Sequence, residues 1–142
     1  VTIGEALHTY FQISDIGGVS VGGLENATFY DKTADFKKSK SKNPIAFKGE
    51  VDRVYVKTGA DCVITDPGLG RKIRVAKTGS KSTIVWTPWK EKADKMGDMG
   101  GNNNDGWRNM VCVESANAMD DVVSVAPGET HTLAVKYSVE AL

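Results

Sequence analysis

The chain has 142 residues, in which 18 Lys and Arg balance 18 Asp and Glu, with 40% hydrophobic and 25% charged residues. This length suits one domain with a real core, and the composition excludes wholesale disorder. Zero net charge argues against a nucleic-acid partner, no apolar run nears the length of a membrane-spanning helix, and no amino-terminal signal pattern is visible. Two cysteines, Cys62 and Cys112, are too few for a disulfide-stapled secreted scaffold; they fit a reducing compartment, and a cytoplasmic location is expected. The chain opens on Val1 rather than Met, so a fragment or a processed product is expected.

The dominant hydrophobic period is two, the period of strands. Residues 6–13 read as a strand with Leu7, Thr9, Phe11 and Ile13 on one face and His8, Tyr10 and Gln12 on the other. Short β segments follow at 19–24 and 27–30, and residues 37–43 form a basic, polar loop. Residues 51–56 and 60–65 alternate well. Asp66-Pro67-Gly68 is a strong turn signal, since Pro presets φ and Gly tolerates positive φ, so 61–64 and 72–76 read as the arms of a hairpin. A strand at 82–86 leads to the one short helix expected, at 91–95. Residues 97–106 are rich in Gly and Asn and read as a mobile loop near the functional groove. Strands at 109–115, 121–125 and 130–139 complete nine or ten. That count, with turns between, predicts an all-β antiparallel sandwich or barrel, without internal repeats or a domain boundary.

The residue types alone leave several chemical readings open. His8 stands among bulky strand residues, where an isolated histidine is more often structural than catalytic. His131 follows Pro127-Gly128-Glu129 and reads as a surface residue. Glu114 shares a strand face with Met110 and Cys112, which would desolvate it, raise its pKa and make it a better base near neutral pH; a strand-end glutamate facing water is the bland alternative. Asp52 and Arg53 are neighbours and point to opposite faces of a strand, so they do not form a simple pair; Asp52 could equally be a surface acid. Trp86-Thr87-Pro88-Trp89 is an aromatic corner that suits a core, or else a sugar-stacking platform. Metal-ligand spacing, a nucleophile elbow, a phosphate-cradling Gly loop and a redox cysteine pair are all missing from the motifs.

Five segments, in order, resemble one family. Leu7-His8-Thr9-Tyr10-Phe11 resembles the His-Thr-Tyr-Phe strand of the galactose mutarotase-like (aldose 1-epimerase) superfamily. Gly49-Glu50-Val51-Asp52-Arg53-Val54-Tyr55, the run from Val85 to Ala93, Asp98-Met99 followed by Met110-Val111-Cys112-Val113-Glu114, and Pro127-Gly128-Glu129 are similar to motifs of its hexose-6-phosphate branch, the glucose-6-phosphate 1-epimerases. The resemblance covers the whole chain but only about the C-terminal half of the family's domain. The chain departs from the family at Thr87, where Asn is usual, and at Trp107, near a usual Tyr, so local substrate contacts there are in question.

The resemblance implies an antiparallel β-sandwich holding a sugar in a groove on one sheet. It implies His8 as general acid, Glu114 as general base, and Asp52 holding sugar hydroxyls or assisting His8. The implied activity is interconversion of the α and β anomers of a hexose 6-phosphate by acid–base ring opening, with neither metal nor cofactor. The acid and base are expected on one concave surface, separated by roughly the width of a sugar, as groups that each reach their own proton. The phosphate ligands would lie in a preceding part of the same domain, which is the partner expected for this chain; half a sandwich alone would expose sheet edges and an apolar face. Two alternatives are a non-catalytic mutarotase-like subunit that binds carbohydrate or assembles into a larger complex, and a generic carbohydrate-binding sandwich.

Overall fold

The period-two alternation becomes short and long antiparallel strands in the structure, a computed structural model that describes residues 1–97, 99 and 105–142. The strands are β1 (Thr2–Ile3), β2 (Glu5–Leu7), β3 (Tyr10–Gln12), β4 (Ser20–Gly22), β5 (Phe29–Asp31), β6 (Lys37–Ser39) and β7 (Ile45–Ala46). They continue with β8 (Val51–Tyr55), β9 (Cys62–Asp66), β10 (Arg71–Thr78), β11 (Ser82–Thr87), β12 (Met110–Asn117), β13 (Val123–Ser124) and β14 (Ala134–Ala141). A single α-helix among the described residues, α1 (Trp89–Met96), follows β11.

Two sheets form the sandwich. In the larger, β2 and β3 both pair with β12, and the order continues β11-β8-β5-β6. The smaller runs β14-β10-β9-β4-β7, and β1 and β13 make a separate two-stranded ribbon. The all-β expectation holds. Strand β12 carries the longest apolar run and is buried at every position, as a central strand covered on both faces must be. Its Val111 and Val113 join Ile73 and Val75 of β10 in the core between the sheets. Each such fully buried side chain stabilises the fold by about 1.5–3 kcal/mol relative to exposure. Met110 and Cys112 point the other way and, with Trp86, form a second apolar cluster beneath the outer face.

The hairpin at Asp66 forms as expected, but the left-handed residue is Gly70 and not Gly68. Pro67–Leu69 make a 3₁₀ turn, Gly70 closes it at φ 60°, and Ile73 pairs with Ile64. The buried Asp66 carboxylate accepts hydrogen bonds from Ser14 N–H (2.9 Å), the Ser14 hydroxyl and Leu69 N–H (3.2 Å), tying the turn to the segment after β3.

Some expected boundaries move. The strand expected at 6–13 is interrupted at His8 and Thr9, because Thr9 N–H bonds back to Leu7 O (2.9 Å) rather than across to β12. The basic segment 37–43 is not wholly a loop: Lys37–Ser39 pair with β5 as the edge strand β6. Lysines on an edge strand hinder further pairing, and this accounts for a strand of unstrandlike composition. The helix is longer than expected, starting after Pro88 and ending where Gly97 takes φ 78° and donates to Ala93 O (3.1 Å). Of the stretch 121–125 only the end pairs with the N-terminal segment: Val123–Ser124 with β1, and Val125 with Val1 through two backbone hydrogen bonds. The mobility expected of 97–106 concerns mainly residues outside the described ones. Both cysteines are free and buried, and among the described residues no helix is long and apolar enough to cross a membrane.

Candidate active site

The register of the larger sheet decides which side chains meet. β12 pairs with β2 through Ser115↔Leu7 and with β3 through Cys112↔Tyr10. The same register holds on both sides of the interruption, so His8 stands opposite Glu114. On the next strand Ile84 pairs with Glu114 and Trp86 with Cys112, and beyond it Asp52 pairs with Trp86. Alternation then places His8, Glu114, Cys112, Ile84, Trp86 and Asp52 on the face of the sheet turned away from the core.

A cleft of about 180 Å³ opens on that face, lined by His8, Lys32, Asp52, Ile84, Trp86 and Glu114. All three residues singled out in the sequence therefore line one cleft. Glu114 is at its floor, 3% exposed. His8 Nε2 lies 3.2 Å from Glu114 Oε1, and the His8 side chain is half exposed. The His8 ring stacks on Tyr10 (centroids 5.0 Å apart, planes 19° apart) and meets the edge of Trp86 at 6.0 Å. These two rings restrict the imidazole to an orientation facing the carboxylate.

On the other side of the cleft Lys32 Nζ lies 3.6 Å from Asp52 Oδ1. Lys32 begins the 3₁₀ turn Lys32–Ala34 after β5, a turn capped by Asp31, whose carboxylate accepts from Thr33 N–H. Sequence reasoning missed Lys32. It lies beyond the end of its strand, where period-two alternation no longer says which way a side chain points.

The electrostatics follow from burial. Desolvation raises the Glu114 carboxyl above its ordinary value; the His8 and Lys32 charges oppose this and Asp52 adds to it. Desolvation also raises Asp52, against Lys32 and Lys92. Burial pushes the Cys112 thiol strongly up, with Glu114 adding to the effect. The cleft thus holds a carboxylate made more basic by its surroundings, in contact with an imidazole that can give or take a proton. Such a pair can remove a proton from one substrate atom and deliver one to a neighbouring atom. Among the described residues, His8, Cys112 and Glu114 also offer nitrogen, sulfur and oxygen donor atoms within 4.8 Å of one another.

Three sequence expectations are corrected. His8 and Glu114, expected as acid and base, are not a sugar's width apart; as cross-strand neighbours they are in direct contact. His131 is not a free surface residue: its Nε2 donates to Asn117 Oδ1 (3.0 Å) and lies 3.4 Å from Glu5 Oε1. The aromatic corner splits: Trp86 lies under the cleft with Met110 and Cys112, whereas Trp89 packs on the buried Trp107 at 5.1 Å. The departure at Thr87 does not touch the cleft, because Thr87 is fully buried and one residue out of phase with Trp86.

Comparison with known proteins bears on this arrangement. The family model described as aldose 1-epimerase matches residues 1–138. A protein of Cenchrus ciliaris, provisionally named glucose-6-phosphate 1-epimerase, is 37% identical over 125 residues, covering 87% of this chain and 37% of that protein. An Escherichia coli protein with the same provisional name is 39% identical over 116 residues, covering 81% of this chain and 38% of that protein. Among solved structures, a mutarotase of Salmonella typhimurium, also provisionally named, superposes with a TM-score of 0.91 at 31% identity; the match covers all of this chain and 47% of that one. The chain spans between about a third and a half of the length of these relatives.

Proposed function

Since the chain belongs to the aldose 1-epimerase family, we propose that it carries the acid–base pair of a hexose-6-phosphate mutarotase, interconverting the α and β anomers of glucose 6-phosphate or a close relative. The observation that carries this reading is the His8–Glu114 contact at 3.2 Å in a cleft that also holds Asp52. The names of the relatives support the sugar phosphate as substrate.

Anomer interconversion asks for little else. Glu114 takes the proton of the anomeric hydroxyl while His8 gives a proton to the ring oxygen. The C1–O5 bond breaks, leaving the free aldehyde. Rotation about C1–C2 presents the other face of the carbonyl, and the reverse transfers close the ring. Both oxygens served are bonded to the same carbon, so an acid and base in contact suit the reaction better than a pair spaced across the ring. Each proton transfer contributes about 10²–10⁴-fold in rate. Desolvation of Glu114 favours its work as a base by raising its proton affinity towards neutral pH. Asp52 accepts hydrogen bonds from sugar hydroxyls, and Lys32 balances its charge.

The chain forms the C-terminal part of a mutarotase-like sandwich domain in this reading. One flank of the sandwich supports it. The outer edge of β2 and β3 lies beside β14, where Thr9 Oγ1 and Tyr137 OH share a hydrogen bond. Tyr137 and Val139 pair with the inward-facing Val75 and Ile73, yet are 41% and 62% exposed. A preceding part of the domain would cover these side chains, extend the sheet beyond His8 and supply phosphate ligands. The deciding experiment is NMR exchange between the two anomers of glucose 6-phosphate at equilibrium, with and without the protein. Catalysed exchange supports the mutarotase; sugar binding without exchange would replace it with a carbohydrate-binding role.

A further inference from the structure

We propose that His8, Cys112 and Glu114 form a binding site for a thiophilic divalent metal ion of the zinc type, and that the bound ion inhibits by occupying the acid–base pair. Three donors of three kinds converge there. A ring nitrogen of His8, Sγ of Cys112 and a carboxylate oxygen of Glu114 all lie within 4.8 Å of one another, and the nitrogen and oxygen are already 3.2 Å apart. A tetrahedral zinc with bonds of about 2.0–2.3 Å places its ligands roughly 3.3–3.8 Å from each other, so closing the set takes shifts of about 1 Å.

The sheet supplies two of the ligands on a rigid element. Cys112 and Glu114 are two residues apart on one face of the central strand β12, both buried. His8 approaches from the break between β2 and β3 as the half-exposed member, and its ring can adjust. Cys112 is a free thiol. On binding, its proton passes to solvent and the sulfur forms the metal bond; nothing is oxidised or reduced. His8 and Glu114 line the cleft and Cys112 lies buried beneath it, so a fourth position on the cleft side would fall to water, the arrangement of three protein ligands plus an open site that zinc adopts in reactive centres. Mixed nitrogen, sulfur and oxygen donors select zinc or cobalt and not magnesium or calcium, which take oxygen ligands.

Ion binding does not depend on the reaction proposed above; its inhibitory consequence does. The test is therefore a titration of the metal-free protein with Co²⁺ or Zn²⁺ alone, without sugar. The expected result is one ion per chain with a thiolate-to-cobalt charge-transfer band, and no binding of Mg²⁺. Loss of a direct ligand in Cys112→Ala or Glu114→Gln should weaken binding by at least the roughly 10–100-fold that losing an outer-shell partner costs. Cys62→Ala, on β9 in the other sheet, should leave it unchanged. Should Cys112→Ala fail to fold, Glu114→Gln and the cobalt–sulfur band of the wild type carry the test. Absence of the band, or equal affinity in the folded variants, would overturn the site. In the anomer-exchange assay Zn²⁺ should slow turnover in competition with sugar; an ion bound without slowing would overturn the inhibitory role. Absence of exchange in metal-free protein would overturn the proposed reaction, while the titration would still decide the ion site.

Discussion

Replacing Glu114 by Gln separates the proposed role as base from everything else the side chain does. The two side chains have the same shape, and Glu114 sits buried on a central strand, so the amide keeps its place opposite His8 and donates to the imidazole nitrogen that the carboxylate faced. What is lost is the ability to take a proton. One general base contributes about 10²–10⁴-fold, or roughly 3–5 kcal/mol of barrier, so anomer exchange should fall by that factor while sugar binding changes little. Stability should move the other way. Desolvation holds the Glu114 carboxyl above its ordinary value in the folded protein, against the opposing charges of His8 and Lys32. A carboxyl raised in the folded state contributes stability that is present below its unfolded value, about 4.3, and lost as pH rises through its folded value. At pH 7 the wild type therefore carries the cost of a buried charge, and the Gln variant does not. Glu114→Gln should be at least as stable as wild type at pH 7, with a flatter stability profile between that pH and 4. NMR anomer exchange, corrected for the spontaneous rate, measures the first effect; urea denaturation at several pH values measures the second. A folded Glu114→Gln protein exchanging anomers at the wild-type rate would refute the mechanism. A variant less stable than wild type by more than about 1 kcal/mol at pH 7 would refute the electrostatic account.

Other perturbations separate the remaining roles. His8→Asn should reduce anomer exchange by about 10²–10⁴-fold if His8 is the ring-oxygen proton donor proposed above, read in the same NMR assay. Asp52→Asn should raise KM by about 10-fold or more with a smaller change in kcat, since it loses charge-assisted bonds to hydroxyls and leaves Lys32 without its 3.6 Å partner; steady-state kinetics check this. At Asp66 burial pushes the carboxyl up, but hydrogen bonds from Ser14 and Leu69 outweigh it and the net shift is downward. Its contribution is present above the unfolded value of about 3.9 and lost as pH falls through the folded value, so Asp66→Asn should cost about 1.5–3 kcal/mol in urea denaturation at pH 7 and little in strong acid. Ile64→Ala, at a fully buried position between the sheets, should cost about 2–5 kcal/mol in the same measurement.

What the sequence made legible, and what it hid, follows from the range of each physical signal. Alternation along a strand is local, so the face that Glu114 shares with Met110 and Cys112 could be read directly, but whether that face is buried or the glutamate turns to water at a strand end could not; the structure buries it. The 66–70 turn was legible because Pro67 presets φ and a glycine tolerates positive φ, although Gly70 rather than Gly68 takes the left-handed conformation. The two-residue strands β1 and β7 were not legible, because their existence depends on a distant partner rather than on their own pattern. The same limit governs the site. His8, Asp52 and Glu114 could be named one by one, but their spacing is a property of register, which no single strand encodes. Once Leu7 lies against Ser115 and Tyr10 against Cys112, His8 has nowhere to be except opposite Glu114, and neighbouring strands bring facing side chains into contact. The expectation of a sugar-width gap treated the two groups as opposing walls. The sheet instead makes them one unit on the floor and edge of a cleft, with Asp52 and Lys32 across from it. That geometry suits chemistry at two oxygens on one carbon, and it is also what brings a thiol, an imidazole and a carboxylate close enough to share an ion.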